Sequence, residues 1–171
     1  MARLEILHYP ATALRTRAEP VTEVNDEIRS LVEDMAETMY AARGVGLAAN
    51  QVGVLRRIFV IDIADEGETS DLKVFINPEI VAADGVQLFE EGCLSLPGVS
   101  EEIKRAEHVV VRALDAQGQP FELEAEGLLA VAIQHENDHL DGVTMIDKVG
   151  TLKRKKMQRQ VQRAVQESRE A

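Results

Sequence analysis

The string running from Gly127 to Leu140, GLLAVAIQHENDHL, constrains this chain more than any other. Its first half is apolar on every side, which a helix tolerates only when it is buried. Its second half carries His135, Glu136 and His139 into the same interior, and Gly142 ends it. Other elements must therefore wrap around it. A helix is expected to begin at Asn25, a suitable N-cap, with Asp26 and Glu27 in its first turn. Ile28, Leu31, Val32, Met35 and Met39 recur at helical spacing, and Gly44 is the expected stop. Residues 57–63 (RIFVIDI) and 73–76 are rich in β-branched and aromatic types. Residues 108–114 alternate, and Asp115 to Gly118 turns into a further strand over 120–125, predicting a hairpin. The first twenty-odd residues, broken by Pro10 and Pro20, read as irregular. Strands and helices do not alternate along the chain, so the class is α+β.

Length and charge narrow the function. The 171 residues fit one domain, and 45% apolar with 29% charged residues is the balance of a globular protein. No apolar run is long enough to span a bilayer, and the N-terminus lacks a secretory h-region, so a cytoplasmic location is expected. The single cysteine, Cys93, excludes an internal disulfide and fits a reducing compartment. The net charge of −11 argues against sequence-specific nucleic acid binding. That charge is unevenly spread. Residues 151–171 carry seven Lys/Arg and two Glu, leaving twelve basic and twenty-eight acidic residues before them. This tail reads as an amphipathic helix. Met157, Val161, Ala164 and Val165 form one stripe, and Lys155, Lys156, Arg159 and Arg163 lie opposite. The apolar stripe faces either the body or a partner, and the basic side is either solvated or a docking face for an anionic partner.

His135 and His139 stand at i and i+4, about 40° apart around a helix and one turn apart along it. Both rings can reach one metal ion. Glu136 projects beside that site, the H-E-x-x-H pattern of metal-assisted hydrolysis, in which a carboxylate takes the proton of an activated water. A catalytic site needs three protein ligands and an open position. No downstream His extends the pattern, and Cys93, in the segment EEGCLSLP, is the best third candidate. Gly92 beside it permits close backbone approach. Sulfur with two imidazoles suits Zn²⁺ or Fe²⁺. His8 and His108 lie in unpatterned contexts. The segment GVGLAANQVG (44–53) lacks the ending of a phosphate loop, but its glycines expose backbone and Gln51 is a neutral donor for an oxyanion.

GVGLAANQ, EGCLS and QHENDHL, in this order and spacing and with the flanking Phe75-Ile76-Asn77-Pro78, resemble the three signature motifs of peptide deformylases over nearly the whole chain. The resemblance implies antiparallel sheets packed around the metal-bearing helix, with a C-terminal helix. It implies a catalytic metallohydrolase domain over 1–150, with 151–171 a basic helix of the same domain. Cys93, His135 and His139 would hold Fe²⁺, which Zn²⁺, Ni²⁺ or Co²⁺ could replace. Glu136 would be the general base and then the proton donor. Gln51 and the Leu94 N–H would bind the oxyanion. Val45 and Gly46 would pair with the substrate backbone, and Phe89, Gly92, Leu128, Val131 and Ala132 would line the methionine site with the His135 ring. The reaction implied is removal of the formyl group from the N-formylmethionyl end of nascent polypeptides, as part of N-terminal processing in protein biosynthesis. The C-terminal helix would offer a ribosome-docking face.

Two other functions share parts of this pattern. A general zinc endopeptidase has H-E-x-x-H but calls for a His or Glu third ligand and a long open cleft. A metal-stabilised binding module with no activity needs a fourth protein ligand, and the sequence offers none.

Overall fold

The computed structural model describes residues 2–64 and 68–170. Helix α1 spans Asp26–Ala41, capped by the Asn25 side chain, which accepts a bond from the Ile28 N–H at 3.1 Å. Its apolar stripe buries Ile28, Val32, Met35 and Met39. The helix closes with bonds from Arg43 N to Tyr40 O and from Gly44 N to Met39 O, both 3.0 Å. The left-handed residue of this closure is Arg43 (φ 58°), which corrects the assignment of the stop to Gly44. Gly44 instead leaves room for Leu94, whose Cδ1 would lie 2.6 Å from a Cβ at residue 44 and would have to shift.

Strands β1 (Gly46–Ala48), β2 (Ile58–Ile61), β3 (Lys73–Asp84), β4 (Gln87–Cys93), β5 (Leu96–Arg105), β6 (His108–Leu114) and β7 (Pro120–Glu126) follow. A five-stranded antiparallel sheet has the order β1-β2-β3-β6-β7, and β4 and β5 form a separate hairpin. The β6–β7 hairpin lies where alternation predicted it. Three expectations are corrected. The segment around Cys93, for which no strand is predicted from the sequence, is the end of a long hairpin. Residues 73–76 open a strand that runs to Asp84, and its outer half is too exposed to show an apolar pattern. Residues 46–48, for which no strand is predicted from the sequence, pair with β2 as a short edge strand.

The first residues are tied down through Asn77, at a register shift in β3. Its side chain accepts from Val21 N and donates to Val21 O, both at 2.8 Å. Helix α2 (Gly127–Leu140) follows β7 directly and packs on the sheet. Ala130, Ile133 and Leu140 meet Phe59, Phe75, Val109 and Val111 in one core. A second core lies between α1 and Leu47, Ile58, Val60 and Ile76. A third holds the hairpin. Leu96, Val99 and Ile103 of β5 pack on Met145, Ile146, Met157 and Val161. Met157 and Val161 belong to α3 (Thr151–Glu170), so the apolar stripe of the tail faces the body and Lys155, Lys156, Arg159 and Arg163 are exposed. Among the described residues, no helix is long and apolar enough to cross a membrane.

Candidate metal centre and active site

Helix α2 presents His135 and His139 on one face, and the end of β4 brings Cys93 to them. The ligand atoms of the three residues lie within 4.8 Å of one another. Cys93 Sγ is 3.4 Å from His139 Nε2, which is 3.3 Å from His135 Nε2. His139 is fully buried and His135 nearly so, with Cys93 half-buried. Glu91 Oε1 holds His135 Nδ1 at 2.9 Å, which directs the Nε2 lone pair to the cluster. Three donors converging in this way repel one another unless positive charge lies among them. Burial opposes charge on His135, yet Glu136, Cys93 and Glu91 outweigh it and hold the ring's pKa well above the usual histidine value. Burial, then the positive charges of His135 and Arg105, drives His139 well below it. The three donors could hold a cation, and a soft divalent metal ion fits their sulfur and two imidazoles.

Glu91 is held in turn by Arg105, at 2.8 Å from Nε and 2.9 Å from Nη2, and Arg105 also binds Asp138 through Nη1. Burial raises the Glu91 pKa, but the Arg105 and His135 bonds bring it down to about 2. This chain of buried charges went unread in the sequence. The available signal was weak. Glu91 stands two residues before Cys93, the period that puts strand side chains on one face.

Glu136 lies beside the cluster, against β1. A Cβ on Gly46 would sit 2.6 Å from Glu136 Oε2, so the carboxylate and the strand edge meet only because residue 46 is glycine. Burial, chiefly, pushes the Glu136 pKa up to about 7, and its Oε1 has no protein partner among the described residues. Gln51 is anchored by Oε1, which accepts from Ala48 N at 2.9 Å. Its Nε2 reaches Ser95 Oγ at 3.1 Å and stands 3.7 Å from Cys93 Sγ. Asn50 beside it is structural, donating to Ala13 O and Thr16 O. Asp62 N bonds Val45 O at 2.9 Å. Bonded and non-bonded pairs alternate in an antiparallel ladder, so Gly46 turns its N–H and C=O to the free edge of β1.

That edge, α2 and the β4–β5 hairpin enclose a cavity of about 420 Å³. Val45, Gly46, Gln51, Phe89, Gly92, Cys93, Leu94, Leu128, Val131, Ala132, His135 and Glu136 all border it, and His139, the one candidate that does not, stands behind the wall within reach of Cys93 and His135. The wall is mostly apolar, with its few polar groups gathered at the cluster. Such a site can hold an apolar side chain while a polarised carbonyl meets a carboxylate and neutral N–H donors.

Comparison with known proteins agrees with this geometry. The family model for polypeptide deformylase matches residues 3–155. A peptide deformylase of Alkalilimnicola ehrlichii is 52% identical over 99% of this chain and 94% of its own. Peptide deformylase 1 of Burkholderia multivorans is 54% identical over 92% and 86%. The crystal structure of a peptide deformylase from Legionella pneumophila superposes with a TM-score of 0.95 at 44% identity, covering 99% of each chain. That of Ehrlichia chaffeensis in complex with actinonin superposes at 0.91 with 38% identity, over 95% of this chain and 98% of that one. The chain belongs to the polypeptide deformylase family of metal-dependent hydrolases.

Proposed function

We propose that this chain removes the formyl group from the N-formylmethionyl end of newly made polypeptides in the cytoplasm, with Cys93, His135 and His139 holding one Fe²⁺ ion. The observation that carries the reading is the convergence of these donors, beside a buried carboxylate, on one mostly apolar cavity. When bound, the ion supplies Lewis acidity to the formyl oxygen and acidifies water. Glu136 takes the proton of the attacking water and returns it to the leaving amine, a role suited to a carboxylate whose pKa is near 7. The Gln51 amide and the Leu94 N–H stabilise the developing oxyanion. The free edge at Gly46 pairs with the substrate backbone, as exposed strand edges do. Phe89, Leu128, Val131, Ala132 and the His135 ring receive the methionine side chain, with Val45 and Gly92 on the flanks. The exposed basic face of α3 suits weak, salt-dependent docking on ribosomal RNA.

Formate release tests the reading. Iron-loaded protein kept without oxygen should deformylate formyl-Met-Ala-Gln-Ser-amide and leave the acetylated peptide and an internal peptide bond intact. Equal cleavage of an internal bond would make it an endopeptidase, and no cleavage of any would leave a binding module. Thiolate ligation predicts loss of iron-dependent activity in air and longer life with Zn²⁺ or Ni²⁺.

A further inference from the structure

Arg43 occupies a position that local physics assigns to another residue. It is the left-handed residue closing α1, where glycine or asparagine avoids the Cβ penalty. The other non-glycine residue with positive φ among the described residues, Asn77, is of a tolerant type and has its side chain used on Val21. Arg43 has neither explanation. Its side chain is exposed and makes no hydrogen bond or ion pair among the described residues. It borders the same cavity as Gly46 and Glu136. A residue kept against its backbone preference at the rim of a site points to function.

Of the other charges bordering the cavity, Glu91 is neutralised by Arg105, and His135 and Glu136 belong to the cluster; exposed Glu90 accepts from Ser100 Oγ at 3.0 Å and keeps its negative charge. Among the described residues, Arg43 is thus the one lysine or arginine lining the cavity, and it has no ion pair, on a chain of net charge −11. A peptide whose formyl end lies at the cluster must leave through the open mouth, past exposed Val45. Laid antiparallel on β1 with its first residue opposite Gly46, it places its third residue opposite Gly44, beside Arg43.

We infer that Arg43 is a specificity-determining residue that favours formylated peptides with an acidic side chain at the third position and disfavours basic ones. The inference rests on the deformylase reading of the cavity. It is tested by the ratio of kcat/KM for formyl-Met-Ala-Glu-Ser-amide to that for formyl-Met-Ala-Lys-Ser-amide, in which any general change in turnover cancels. Glycine suits the left-handed position, so Arg43→Gly removes the side chain without disturbing the turn. At low salt the ratio should fall roughly threefold to tenfold in Arg43→Gly, the scale of exposed charge pairs acting on both peptides. It should fall further in Arg43→Glu, stay near wild type in Arg43→Lys, and the differences should shrink in high salt. An unchanged ratio in Arg43→Gly and Arg43→Glu, with formyl-Met-Ala-Gln-Ser-amide still deformylated, overturns the inference alone. Failure to deformylate that neutral peptide overturns the function and this inference together.

Discussion

The cavity has two banks of different construction. On one, β1 belongs to the five-stranded sheet and α2 packs on it, where Phe59 and Phe75 stack at 4.7 Å and Ile133 is fully buried. On the other, β4 and β5 pair only with each other, and their support is the small core completed by α3. The candidate ligands are divided between them, two histidines from the first bank and Cys93 from the second. Besides a bound metal, the main tie is Glu91, which reaches from β4 to His135 and is gripped by Arg105 of β5. A site split in this way depends on how firmly its weaker bank is held.

Breaking the tie should have the largest effect. Glu91→Ala leaves Arg105 buried with only Asp138 and frees the His135 ring. The expected cost stays below the roughly 3–5 kcal/mol of a wholly uncompensated buried charge, because Asp138 still pairs Arg105, with metal affinity down roughly 10–100-fold. Denaturant unfolding and metal competition titration measure the two. Values near wild type would mean that the banks are joined some other way.

Weakening the prop should come next. Met157 is 2% exposed and sits under β5. Met157→Ala should cost about 2–4 kcal/mol and Met157→Leu less than about 1.5 kcal/mol. Hydrogen exchange should rise first in β4 and β5 and leave β2 and β3 protected. A uniform rise would show that the hairpin shares the stability of the sheet.

The smallest effect lies on the first bank's outer edge. Tyr40 OH donates to Asp62 Oδ2 at 2.7 Å, and burial, then Asp62, push the tyrosine pKa from 10.0 to about 12. Because the folded value is raised, the neutral phenol favours the folded state. This contribution is complete below pH 10 and is lost as pH rises through 12. The opposite holds for Asp62. Burial raises its pKa, but the Tyr40 hydroxyl and the Ala64 and Asp71 N–H groups outweigh that and lower it. Its contribution is therefore present above the ordinary carboxylate range and lost in acid. In ultraviolet titration, Tyr40→Phe should remove a tyrosinate step near 12 and lose little stability at neutral pH.

The same division governs what could be read from the sequence. The first bank was legible because its burial writes a pattern, an apolar string with two histidines one turn apart. The second was not. Glu90, Glu91, Glu101 and Glu102 face one another across the hairpin, and Glu91 points inward to Arg105 rather than to an apolar core, so no alternation marks the strands. Strand β1 is too short to have a period. The stripe on α3 was visible as a stripe, but what it covers depends on β5, which the sequence did not reveal. The stop of α1 reads as Gly44, but the left-handed closing residue is Arg43, a residue type that carries no stop signal.

The central claim is that Cys93, His135 and His139 hold the ion while Glu136 only moves protons. Glu136→Ala isolates it. Anaerobically prepared variant and wild type should carry the same metal content, while formate release from formyl-Met-Ala-Gln-Ser-amide falls by at least about 100-fold. Loss of the metal along with the activity, or activity retained without the carboxylate, would contradict the account.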